Sequence, residues 1–98
     1  MTNKINDNVA MMILENAERV KTLNTNAYLQ ISFEIESIDE LCKIHVIYWK
    51  AIDSYSLMTE HKTKDTSCFK EFTAIEIVDV LGKIFSDDGV DLYRLMTS

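Results

Sequence analysis

His45 and His61 are the first side chains in this sequence able to do chemistry. If the chain turns about Asp53, His45 meets His61, Ile47 meets Thr59, Trp49 meets Leu57 and Ala51 meets Tyr55 across a hairpin. These pairs share one mostly apolar face. The other face then carries Ile44/Lys62, Val46/Glu60, Tyr48/Met58 and Lys50/Ser56. This register is preferred because it separates apolar from charged residues. Two adjacent imidazoles can pass protons to and from a phosphodiester. Such a site also needs cations to hold the phosphates, and the chain is acidic, with a formal net charge of -6. Ordinary, partly buried histidines at a sheet end are the favoured reading.

Cys42-x-x-His45 and His61 with Cys68 supply four candidate metal ligands. Their spacing fits no common zinc pattern. Positions 42 and 45 of one strand also point to opposite faces. Both cysteines are therefore expected as reduced, structural core residues. Glu34 and Glu36 share a strand face, and Glu76 and Asp79 stand one helical turn apart. Paired carboxylates can hold a metal or act as acid and base, but on an acidic chain a solvated face explains them more simply. Gly82 and Gly89 are the only glycines, too few for a phosphate-cradling loop. No serine sits in a strained elbow. No cofactor, metal or enzymatic activity is expected.

The elements that hold these residues follow from period and caps, since the chain has no proline. Val9, Ile13, Ala17 and Val20 recur at helical spacing and predict a helix over 6–23, with Asn6 or Asp7 as cap. Asn24 to Asn26 would end it. Residues 27–36 alternate, with Leu29, Ile31, Phe33 and Ile35 on one face and Tyr28, Gln30, Ser32 and Glu34 on the other: a half-buried strand. Ser37-Ile38-Asp39-Glu40 has the spacing of a capping box and suggests a single helical turn. Strands follow over 43–52 and 55–62, then a polar loop to Ser67. Residues 68–72 read as either a fourth strand or the start of a helix. Thr73-Ala74-Ile75-Glu76 is a second capping box, and Ile77, Val80, Leu81, Ile84 and Phe85 predict a helix over 74–86. Ser86 to Gly89 breaks it, and 90–96 reads as helix or strand. The expected fold is one α+β domain spanning 1–98: an N-terminal helix, an antiparallel three- to four-stranded meander, and a C-terminal helix packed on one sheet face.

Composition bounds the function. Apolar residues make up 47% of 98, enough for a core and too many for a disordered chain. No apolar run is long enough to span a bilayer. The first residues lack a secretory pattern, so a cytoplasmic location is expected. Charge is uneven: 34–42 holds Glu34, Glu36, Asp39 and Glu40 with no base, and 71–98 holds six acids against Lys83 and Arg94. That argues against nucleic acid and anionic membranes, and for a basic protein as partner. Tyr28, Tyr48 and Met58 fall on polar strand faces, a composition typical of interface centres, unless 90–96 covers them. The expected partner-binding set is therefore Tyr28, Glu34, Glu36, Asp39, Glu40, Tyr48 and Met58. By analogy of size and charge, the leading expectation is a neutralising inhibitor of the toxin-immunity or phage counter-defence type, occluding a basic site on an enzyme such as a nuclease. The alternative is an accessory or self-associating protein, such as a dimeric secretion chaperone.

Overall fold

The structure is a computed structural model and describes residues 5–37, 40–61 and 67–86. Helix α1 (Asp7–Asn16) is followed by strands β1 (Glu18–Asn24), β2 (Tyr28–Ser37), β3 (Glu40–Trp49), β4 (Ser54–His61) and β5 (Ser67–Phe72), then helix α2 (Ala74–Ser86). The strands form one antiparallel sheet in sequential order, a five-stranded meander, and both helices pack on one of its faces. No helix among the described residues is long and apolar enough to cross a membrane.

The core is built where sheet alternation meets helical period. Ile31 and Phe33 of β2, Ile44, Val46 and Tyr48 of β3, and Tyr55 and Leu57 of β4 are buried against Val9 and Ile13 of α1 and Ile77, Leu81 and Ile84 of α2. Each such side chain contributes about 1.5–3 kcal/mol on leaving water. Phe85 of α2 stacks on Phe33 at 5.4 Å. The two core tyrosines find partners for their hydroxyls. Tyr48 and Tyr55 lie opposite each other, with ring centroids 4.9 Å apart. Tyr48 donates to Asp53 Oδ1 at 2.7 Å, while the Tyr55 oxygen accepts the Asn6 N–H at 2.8 Å. One bond thus ties the β3–β4 turn to the core, and the other ties the start of α1 to it. Burial, and then the bond to Asp53, push the Tyr48 hydroxyl far above its ordinary pKa.

Three expectations need correction. The helix expected over 6–23 stops at Asn16, and its second half is strand β1. Asn6 does cap α1, accepting the Asn8 N–H at 2.9 Å. Asn16 donates its side-chain amide to its own helix at Met12 O, and Ala17 is already extended. Ala17 and Val20 still pack on the core, but from the strand side. The β2 edge offers β1 ladder bonds that override the helix propensity of Glu18, Arg19, Lys21 and Leu23. Asn24 to Asn26 is then a hairpin turn rather than a helix end, closed by Thr25, which bonds the backbone of Ala27 and Tyr28.

The hairpin register is the second correction. Trp49 pairs with Ser54, so the turn spans 50–53, and His45 pairs with Met58 while Cys42 pairs with His61. Asp53 takes a left-handed φ of 50°, which aspartate tolerates better than most residues. Relative to the expected pairing, β3 turns its other face to the core.

The third correction concerns Ser37 and Glu40. They are ladder partners at facing strand ends, not a helical turn; Ile38 and Asp39 lie outside the described residues. Residues 67–72 resolve to a strand, and α2 begins at the expected place. Glu76 accepts the Thr73 N–H at 3.0 Å, and the Glu76 N–H reaches the Thr73 hydroxyl at 3.3 Å. Of the loop expected over 62–67, Ser67 belongs to β5 and 62–66 lie outside the described residues, as do the break after Ser86 and the 90–96 segment.

Candidate functional site

Strand alternation gives the sheet a second face, which neither helix covers. The ladder arranges its residues in rows. Glu18, Glu34, Lys43 and Glu60 form the first. Lys21, Ser32, His45, Met58 and Phe69 form the second. Leu23, Gln30, Ile47, Ser56 and Glu71 form the third, and Tyr28, Trp49 and Ser54 close the face. Three carboxylates therefore stand against one lysine in the charged row. The other rows mix the polar side chains of Lys21, Gln30, Ser32, His45, Ser54, Ser56 and Glu71 with apolar and aromatic ones.

The aromatic end is rigidly built. Tyr28 packs on Trp49 with centroids 5.4 Å apart, and the Trp49 indole N–H donates to Ser56 Oγ at 2.9 Å. Ser56 is thereby buried on a face that looks outward. Leu23 is 51% exposed and Phe69 is 58% exposed, one on each edge strand. Both edges of the face thus present apolar surface to solvent.

The centre is polar. Ser32 Oγ lies 2.7 Å from His45 Nδ1, and Gln30 Nε2 lies 3.1 Å from Ser32 Oγ. His45 Nε2 is buried without a hydrogen-bond partner; Glu60 Oε1, at 3.6 Å, is close enough for charge attraction but not for a bond. Arg19 reaches Glu34 at 3.6 Å. Arg19 has a left-handed φ of 56° and belongs to a bulge, where Arg19 and Val20 together oppose Phe33. Beside it opens a cavity of about 480 Å³ between β1, β2 and β3.

The residues expected to bind a partner divide as follows. Tyr28 and Met58 are half-buried on the open face, and Glu34 stands in its charged row. Tyr48 does not belong there: the change of register buries it completely in the core. Glu36 and Glu40 pair with Leu41 and Ser37 in the ladder, and Asp39 lies outside the described residues. His45 and His61 do not face each other in the ladder. Cys42 is buried among core residues, on the opposite face from His45. Among the described residues no group of three histidine, cysteine or acidic side chains is placed to hold a metal. Sequence reasoning missed Trp49, Leu23, Phe69 and the Ser32–His45 contact. Ser32 was legible as outward-facing from the alternation of β2, whereas the others depend on the β1–β2 and β3–β4 registers.

Comparison of the chain with known proteins finds no matching family model, curated protein or solved structure.

Proposed function

We propose that this protein is a protein-binding module that neutralises a basic partner by covering its surface with the open face of the sheet. The observation that carries this reading is the make-up of that face. A packed Tyr28–Trp49 pair closes one end of the face, a row with Glu18, Glu34 and Glu60 around Lys43 lies toward the other, and exposed Leu23 and Phe69 stand between them. Aromatic anchors beside a charged rim are the usual anatomy of an interface. A net charge of -6 favours a cationic partner and fast, salt-sensitive association. An enzyme that holds phosphates with lysines and arginines, such as a nuclease, fits that description. Inhibitors of the toxin-immunity and phage counter-defence types work by such occlusion. Self-association through the same face is the second reading, favoured by apolar exposure on both edge strands.

Light scattering at low and high salt separates the two. A neutralising inhibitor is monomeric alone at both; a self-associating protein is dimeric at both. Affinity capture from the source cell, then surface plasmon resonance on the purified captured protein, tests the charge argument. Glu34→Lys with Glu60→Lys should slow association at low salt and leave dissociation nearly unchanged. An unchanged association rate would remove the acidic row from the account.

A further inference from the structure

We propose that the cavity beside the β1 bulge binds a small phosphorylated molecule, its phosphate held by Arg19, Lys21 and Lys43 over a polar floor of Gln30, Ser32 and His45. The volume, about 480 Å³, is that of a pocket for a ligand of mononucleotide size. Three cations line it on a protein that is otherwise acidic. Lys21 and Lys43 form no ion pair among the described residues. The one carboxylate in the lining, Glu34, is already engaged by Arg19 at 3.6 Å. Two further carboxylates stand nearby without lining the cavity. Glu60 is the ladder partner of Lys43 and comes within 3.6 Å of His45 Nε2, and Glu18 flanks Arg19. They temper the local field, so the cations must act at short range.

Backbone geometry supplies a second, independent reason. Arginine gains nothing intrinsic from a left-handed φ, and such strain persists only where surrounding structure imposes it. Here the bulge imposes it and sets Arg19 at the cavity rim. Bulges commonly re-aim a side chain beside a functional site. On the floor, the Gln30 amide is a donor and the Ser32 hydroxyl can turn to donate, which suits the oxygens of a phosphate. Leu23 lines the same cavity and offers apolar surface to the rest of the ligand. A phosphomonoester carries nearly two negative charges at neutral pH, which matches three cations with one of them partly engaged.

Calorimetry and two-dimensional NMR on the full chain at low salt test this, with AMP, inorganic phosphate and adenosine as probes. AMP should bind saturably and shift the amides of Lys21, Ser32 and Lys43. Inorganic phosphate should compete, and adenosine should not bind. Arg19→Gln with Lys21→Gln should weaken AMP by about tenfold or more, and Lys83→Gln, on distant α2, should not change it. Glu34→Gln should tighten it severalfold, since Arg19 is then released. Should the double variant fail to fold by circular dichroism, Lys43→Gln alone carries the test, with an expected loss of about threefold to tenfold. No saturable binding at millimolar AMP, equal binding of adenosine, or cation variants that bind AMP unchanged would each overturn the site.

Discussion

One sheet presents two faces with opposite solutions to the same alternation. On the covered face, Ile44, Val46 and Tyr48 of β3 stand against Tyr55 and Leu57 of β4, all buried under two helices. On the open face, the intervening residues His45, Ile47 and Trp49 stand against Met58, Ser56 and Ser54. Both sets are rich in apolar atoms. The difference is what satisfies them. Core side chains are enclosed by α1 and α2, whereas Trp49 is held by Tyr28 and one bond to Ser56, and Phe69 and Leu23 meet solvent. A protein this small exposes much apolar surface as a matter of geometry. Met11, Leu14, Ile52 and Ile75 expose theirs on the helices and the β3–β4 turn, whereas Leu23 and Phe69 do so on a face that also carries Tyr28, Trp49 and an acidic row, which makes that face a candidate surface for a partner.

The contrast is sharpest where a core side chain is cut back. Leu57→Ala should lower stability by about 2–5 kcal/mol in urea melts, since Leu57 is wholly buried between β3 and β5. A loss near zero would mean that the covered face is not the core.

A smaller effect belongs to the start of α2, which packs on the covered face. Thr73→Ala should cost about 1 kcal/mol by removing the hydroxyl that accepts the Glu76 N–H. The partner in this capping box adds a pH signature. The bond from the Thr73 N–H holds the Glu76 carboxyl below its ordinary value of 4.5. Its contribution is therefore complete above that value and is lost as pH falls through the lower folded value. The difference between wild type and Glu76→Gln in thermal melts should shrink in that acidic window. A difference that stays constant through it would show that Glu76 titrates as in the unfolded chain.

Legibility in the sequence tracked how cleanly a segment separates polar from apolar. β2 was readable because Leu29, Ile31, Phe33 and Ile35 alternate strictly with Tyr28, Gln30, Ser32 and Glu34. α2 was readable from its cap and its period. β3 was not, because Ile44, Val46 and Tyr48 compete with Ile47 and Trp49 for the core, and only the turn over 50–53 decides between them. The end of α1 misled for a different reason. Ala17 and Val20 keep the helical spacing of Val9 and Ile13 and do reach the core, yet they do so from strand β1. Tyr28, Glu34 and Met58 could be placed outward from the chain alone. The cavity at Arg19 could not, since it exists only once β1 is a bulged strand paired with β2.

The smallest expected change in stability accompanies the largest expected change in binding, and that pairing tests the account most directly. Leu23→Ser with Phe69→Ser removes two exposed apolar residues of the open face without touching the core. Urea melts should agree with wild type to within about 0.5 kcal/mol for each substitution. The decisive measurement is the dissociation rate of the purified partner from this double variant. Dissociation should be at least about tenfold faster with the fold intact. Unchanged dissociation from a fully folded double variant would contradict the claim that the open sheet face is the binding surface.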